Sequence, residues 1–68
     1  MRTERVVITG KVLVKNRDSI KLWTPVKDIW LGRRAVLDSD TEWDEIEQGE
    51  EITAEIPLWL ARKEGLSE

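Results

Sequence analysis

Hydrophobic and polar residues alternate along residues 5–15, RVVITGKVLVK. An alternation of period two that is rich in β-branched residues predicts a half-buried strand. Gly10 lies in the middle of this segment, where it predicts a bend or a bulge of the kind that small barrels use to curl a long strand. The apolar positions are Val6, Ile8, Gly10, Val12 and Val14, and the opposite face carries Arg5, Val7, Thr9, Lys11, Leu13 and Lys15.

Four later segments also have strand patterns, at residues 19–23, 27–31, 35–37 and 50–56. Residues 16–19 contain Asn and Asp, whose side chains hydrogen-bond to nearby backbone, so this segment predicts a turn between the first two strands. Residues 35–37 form either a fourth strand or a turn of 3₁₀ helix. The pattern therefore predicts about five short strands that pair largely as hairpins.

The C-terminal segment predicts a short helix. Pro57 suits the first turn of a helix, and LWLARKEGL follows it with Arg62 and Lys63 near the end. Gly65 then stops the helix and Leu66 folds back. No linker divides the chain, so we expect a single small domain over residues 1–68. Its fold class is mainly β (α+β): a small curled antiparallel sheet or partly open barrel of about five strands, with a short C-terminal helix.

Three stretches of the chain, TGKVL, IWLGRRAVL and IPLWLARKEGL, carry a family resemblance. Together they resemble small uncharacterised proteins of phages, plasmids and other mobile elements. The resemblance covers roughly residues 8–37 and 52–66, and it departs from the family pattern at Gly32, where proline is expected, and at Leu58, where an acid is expected. It implies a mobile-element setting and no particular activity.

The composition excludes several classes of function. The chain has 68 residues with no cysteine and no histidine, so it has no disulfide, no thiolate metal site and no imidazole base. Its four glycines form no phosphate-binding loop. We therefore expect no enzyme activity, no cofactor and no metal. A core of this size supplies roughly 3–5 kcal/mol, and subunit association is the remaining common source of support.

Charge is distributed unevenly along the chain. Residues 1–34 carry nine basic and three acidic residues, a net +6, whereas residues 35–68 carry two basic and eleven acidic residues, a net −9. The two halves can neutralise each other within one domain or between subunits. The N-terminal MRTERVV lacks a signal-peptide pattern and no segment reaches membrane-spanning length, so we expect a cytoplasmic protein without membrane contact.

The stretch DSDTEWDEIEQGEE, residues 38–51, contains eight of the acids. In an EF-hand alignment from Asp38, Trp43 takes the glycine position and Gly49 takes the bidentate acid position, so the alignment fails. Two structures remain: a short helix over residues 42–48, which begins with a capping box, or an extended acidic arm. In both, Trp43 and Ile46 anchor a solvated connector.

The aromatic residues are Trp23, Trp30, Trp43 and Trp59. Trp59 is predicted to pack inside the fold, under the terminal helix or the acidic segment. Trp23 and Trp30 lie on the strand face opposite to their aliphatic neighbours. Because tryptophan is enriched at interface hot spots, these two are candidate interface residues.

Two functional hypotheses follow. The first is a small cytoplasmic interaction module that forms a homo-oligomer through Trp23 and Trp30. The alternative is a nucleic-acid-binding small β-barrel in which either tryptophan stacks on bases. Its candidate cations are Lys11, Lys15, Arg17, Lys21, Arg33 and Arg34. The net charge of −3 favours the first, because phosphate repels an acidic chain at long range.

Overall fold

The fold is built on one long strand with two different neighbours. The computed structural model describes residues 4–66, and its first strand, β1, spans Arg5–Lys15. The N-terminal part of β1 pairs antiparallel with β5, Glu51–Pro57, and its C-terminal part pairs antiparallel with β2, Ser19–Trp23. The two pairings overlap only at Lys11, so β1 joins the two halves of the sheet.

The remaining strands complete an open sheet. β3, Asp28–Gly32, pairs with β2, and β4, Asp38–Ser39, pairs with β5. The resulting order is β3-β2-β1-β5-β4, and all pairs are antiparallel. One α-helix, α1, spans Leu58–Lys63 at the C-terminal end. The prediction of a mainly β fold with about five antiparallel strands and a short terminal helix is confirmed.

The core lies on one face of the sheet, which we call the inner face, and it is entirely aliphatic. Burial of each large aliphatic side chain contributes about 1.5–3 kcal/mol. Trp43, Leu60 and Leu66 pack against its margin. The buried hydrophobic residues are Ile8, Val12, Ile20, Leu22, Ile29, Leu31, Ile46, Ile52, Ala54, Ile56 and Ala61.

A bulge in β1 falls at Leu13 and not at Gly10. The register changes from Val12 opposite Leu22 to Val14 opposite Lys21, so Leu13 is the extra residue. An extra residue shifts the alternation of all that follows. The predicted faces of Val14 and Lys15 are therefore wrong. Val14 shares the outer face with Lys21, and Lys15 lies opposite the core residue Ile20.

Two segments between β3 and β5 differ from the predictions. Arg33–Ala35 forms a 3₁₀ turn, and the short strand that follows, β4, starts later than the predicted 35–37. The acidic stretch contains a single 3₁₀ turn, Trp43–Glu45, in place of a helix over residues 42–48 or an extended arm. Its N-cap is Glu42, with no side-chain capping bond, so the predicted capping box is absent.

The end of the chain matches its prediction except at Trp59. Gly65 has a left-handed backbone, φ 74°, and the Leu66 N–H donates to the Ala61 carbonyl, so the chain turns back as expected. Trp59, however, is 63% exposed. The prediction that it packs inside the fold is wrong, because α1 has only six residues and buries Ala61 against the sheet.

Candidate functional site

The two candidate interface residues lie next to each other on the outer face of the β2–β3 hairpin. Trp23 is opposite Asp28, and Trp30 is opposite Lys21, so the two indoles are diagonal neighbours across the two strands. They are 49% and 54% exposed. Their aliphatic strand neighbours are fully buried on the inner face, so the sheet itself directs these tryptophans toward solvent.

Charged residues complete this surface. Lys11 of β1 is paired with Trp23, and Lys21 with Trp30. We call Lys11, Lys21, Trp23, Asp28 and Trp30 the tryptophan face. Within residues 4–66, none of these five side chains makes a hydrogen bond or an ion pair. The surface thus offers two aromatic rings with both signs of charge beside them, which suits a protein partner.

Two of the candidate cations, Lys15 and Arg33, instead lie beside Trp43. Lys15 Nζ donates to the Trp43 carbonyl at 2.8 Å and lies 5.2 Å from the centre of its ring. The Arg33 guanidinium lies 5.9 Å from the same ring. The Trp43 Nε1–H donates to the Arg17 carbonyl at 2.9 Å. These contacts attach the acidic stretch to the strands, and they explain why it is ordered around Trp43.

The six predicted nucleic-acid cations therefore do not share one face. Lys11 and Lys21 belong to the tryptophan face, whereas Lys15 lies at the margin of the inner face beneath the acidic stretch. Arg33 and Arg34 border a surface depression of about 440 Å³ next to Gly32. Sequence reasoning missed the Lys15–Trp43 contact, because the bulge that turns Lys15 inward has no signal of its own in the residue pattern.

The acidic stretch is a solvated connector with two anchors. Ile46 is 3% exposed and Trp43 is partly buried, which confirms both predicted anchors. Seven of the eight acidic side chains are exposed. Over the described part of the chain, no three His, Cys, Asp or Glu side chains are grouped closely enough to hold a metal ion. Seven of the eight charges of this segment thus face solvent, whereas one carboxylate oxygen of Glu50 is buried.

Neutralising three of these acids should have little effect. We expect the combined change of Asp38, Asp40 and Glu42 to their amides to shift the free energy of unfolding by only about 0.5 kcal/mol, because all three are exposed. Calcium should leave the Tm unchanged, since only binding to the native state would raise it. Thermal melts of both proteins with and without calcium test this. A Tm that rises with calcium in the parent but not in the variant would reveal a metal site.

Comparison with protein-family models, with curated proteins and with solved structures gave no match. The resemblance to mobile-element proteins thus stays a prediction. Among the helices of residues 4–66, none has the length and apolar character needed to cross a membrane. The case for function rests on the tryptophan face.

Proposed function

We propose that this protein is a small interaction module that self-associates, and that a second copy contacts the tryptophan face. The carrying observation is the position of Trp23 and Trp30. Both are half-exposed on one surface, although the core is complete without them and consists of aliphatic residues only. Exposed tryptophans grouped in this way are characteristic of interface hot spots, where they contribute most of the binding energy.

The charges along β3 support a second copy as the occupant. β3 begins with Asp28 and is followed directly by Arg33 and Arg34. In a copy related by a two-fold axis, β3 runs in the opposite direction, so the Asp28 of each copy approaches Arg33 and Arg34 of the other copy. The small size of the chain adds a second reason, because association stabilises a domain whose own core is limited.

The dispersal of the cations supports this proposal over the nucleic-acid alternative. Backbone phosphates are bound by a continuous basic groove, whereas here Lys15 and Arg33 are engaged around Trp43. The resemblance to mobile-element proteins and the absence of cysteine support a mobile-element origin and a cytoplasmic location, which we include in the proposal.

The test is sedimentation equilibrium at micromolar to high-micromolar protein concentration. We expect the parent to sediment as a dimer or larger assembly of the 7.9 kDa chain. The double variant Trp23→Ser, Trp30→Ser should remain folded, because both side chains lie outside the core, and its association should weaken by roughly 30-fold or more.

Trp59→Ser is the matched control for this experiment. Trp59 is 63% exposed, more than Trp23 and Trp30, but it lies on α1 and outside the tryptophan face. Its removal should leave association unchanged. A parent that stays monomeric at 7.9 kDa at every concentration would contradict the proposal. An equal loss of association in Trp59→Ser and in the double variant would contradict it as well.

A further inference from the structure

The sheet has two edges, and they differ in their protection. β4 has two residues, and very short edge strands resist pairing with other chains. β3 has five residues and contains no lysine, no proline and no bulge, which are the devices that normally block an edge. Its outer edge is therefore a ready template for another strand.

The hydrogen bonds at the two ends of the β2–β3 pair show which backbone groups point outward. The Thr24 N–H donates to the Lys27 carbonyl at 3.3 Å, and the Arg33 N–H donates to the Asp18 carbonyl at 2.8 Å. Hydrogen-bonded and non-hydrogen-bonded pairs alternate in an antiparallel ladder. The register is continuous between these two ends, so the hydrogen-bonded pairs are those of Ile29 and Leu31, whose N–H and C=O groups bond to β2. The N–H and C=O groups of Asp28, Trp30 and Gly32 consequently point away from it.

These outward groups are open. Asp28, Trp30 and Gly32 are the three exposed residues of β3. Across the described residues, the three N–H groups and the carbonyls of Asp28 and Trp30 have no hydrogen-bond partner. Gly32 is the N-cap of the 3₁₀ turn Arg33–Ala35, so its carbonyl already accepts the first bond of that turn and keeps one lone pair for a further donor. A Cβ atom placed on Gly32 would meet no atom within 4 Å. Three free donors and two free acceptors, together with the partly engaged Gly32 carbonyl, are thus presented along one accessible edge.

We propose that a second copy adds its own β3 to this edge, antiparallel and about a two-fold axis through Trp30. This inference rests on the proposed self-association and specifies its geometry. Trp30 then exchanges both backbone hydrogen bonds with the partner's Trp30, and Asp28 exchanges both with the partner's Gly32. All the outward N–H groups of each edge gain an acceptor, which makes β3 self-complementary. The product is one continuous sheet of ten strands.

Side chains support the same register. It places the two Trp30 indoles opposite each other on the outer face, where aromatic cross-strand pairs are favourable. Each Asp28 faces the partner's Gly32, beside the depression that Arg33 and Arg34 border, so opposite charges meet. Lys27, the residue before β3, already forms an ion pair with Glu64 of its own chain at 3.2 Å. A register displaced by two residues loses backbone pairs at one end and separates the two indoles.

Gly32→Pro tests the proposal without removing a bond of the fold. The Gly32 N–H points away from β2, and its φ of −70° is the angle that proline requires. The preceding residue, Leu31, is extended, which proline also requires. The monomer should therefore fold. The dimer, however, loses two hydrogen bonds, because each copy lacks the N–H donor at position 32. We expect dimerisation to weaken at least roughly 30-fold in sedimentation equilibrium.

Gly32→Ala is the control, since it keeps the N–H and adds a methyl group into open space. It should dimerise like the parent, and circular dichroism melts should show both variants folded. A dimer that persists in Gly32→Pro but is lost in the double tryptophan variant would overturn edge pairing and leave the proposed function standing. A parent that is monomeric would overturn both.

Hydrogen exchange gives a second readout that does not depend on a variant. The amides of Asp28, Trp30 and Gly32 should exchange rapidly in dilute protein and become protected as concentration rises, while those of Ile29 and Leu31 stay protected throughout. If the three outward amides exchange at the same rate in monomer and dimer, β3 does not pair with a second copy.

Discussion

Gly10→Ala is expected to leave the protein largely unfolded. Gly10 is buried where β2 passes close to β1, and an added Cβ would overlap the Trp23 carbonyl oxygen and lie 2.8 Å from Leu22. The nearer atom belongs to the backbone, so a change of side-chain rotamer cannot relieve the clash. We expect a cost of about 3 kcal/mol or more. That is most of the roughly 3–5 kcal/mol that a core of this size supplies.

Circular dichroism with urea denaturation measures this effect, and Gly32→Ala is again the matched control. A Cβ at Gly32 meets nothing within 4 Å, so the same chemical change there should cost less than about 1 kcal/mol. Equal stabilities of the two variants would mean that β1 and β2 do not approach each other as closely as the structure places them.

Trp43→Ala is expected to reduce the free energy of unfolding by about 2–3 kcal/mol. The ring packs against the core margin, and its Nε1–H donates to the Arg17 carbonyl at 2.9 Å. The indole also carries the cation–π contacts of Lys15 and Arg33. Removing it takes away the main side-chain attachment of the acidic stretch to the strands.

Trp59→Ala provides the comparison for Trp43. Both changes remove one indole, but Trp59 is 63% exposed, whereas Trp43 is partly buried against the core. Its loss should shift stability by no more than about 0.5 kcal/mol. Urea denaturation followed by circular dichroism is the measurement, because tryptophan emission itself changes in both variants. If Trp43→Ala were as stable as Trp59→Ala, the contacts of Trp43 would not be what holds the acidic stretch in place.

Local patterns predicted much of this fold. The alternation along β1 and the turn at residues 16–19 depend on neighbours in sequence, and so does the stop at Gly65; all three appear in the structure. The bulge at Leu13 could not be predicted in the same way. It arises where β1 leaves β5 and continues beside β2, which is a relation between distant segments.

The candidate site was predictable to the same extent. The outward direction of Trp23 and Trp30 follows from alternation within single strands, and the structure places them as expected. The open edge of β3 follows only from the order of strands in the sheet, which the residue pattern does not contain. Trp59 was misplaced for a related reason, because the orientation of a six-residue helix is set by what it packs on.

The two pairings of β1 also set an order for folding. β1, β2 and β3 form two successive hairpins, and pairing within each hairpin closes only a short loop. β1 and β5, in contrast, are far apart in sequence; Thr9 and Thr53, for example, are separated by 44 residues. Closing the longer loop costs more chain entropy and is slower. We therefore expect the three-stranded meander to form early, with one side of its core uncovered. The pairing of β5, which brings Ile52 and Ile56, is then expected to limit the rate of folding.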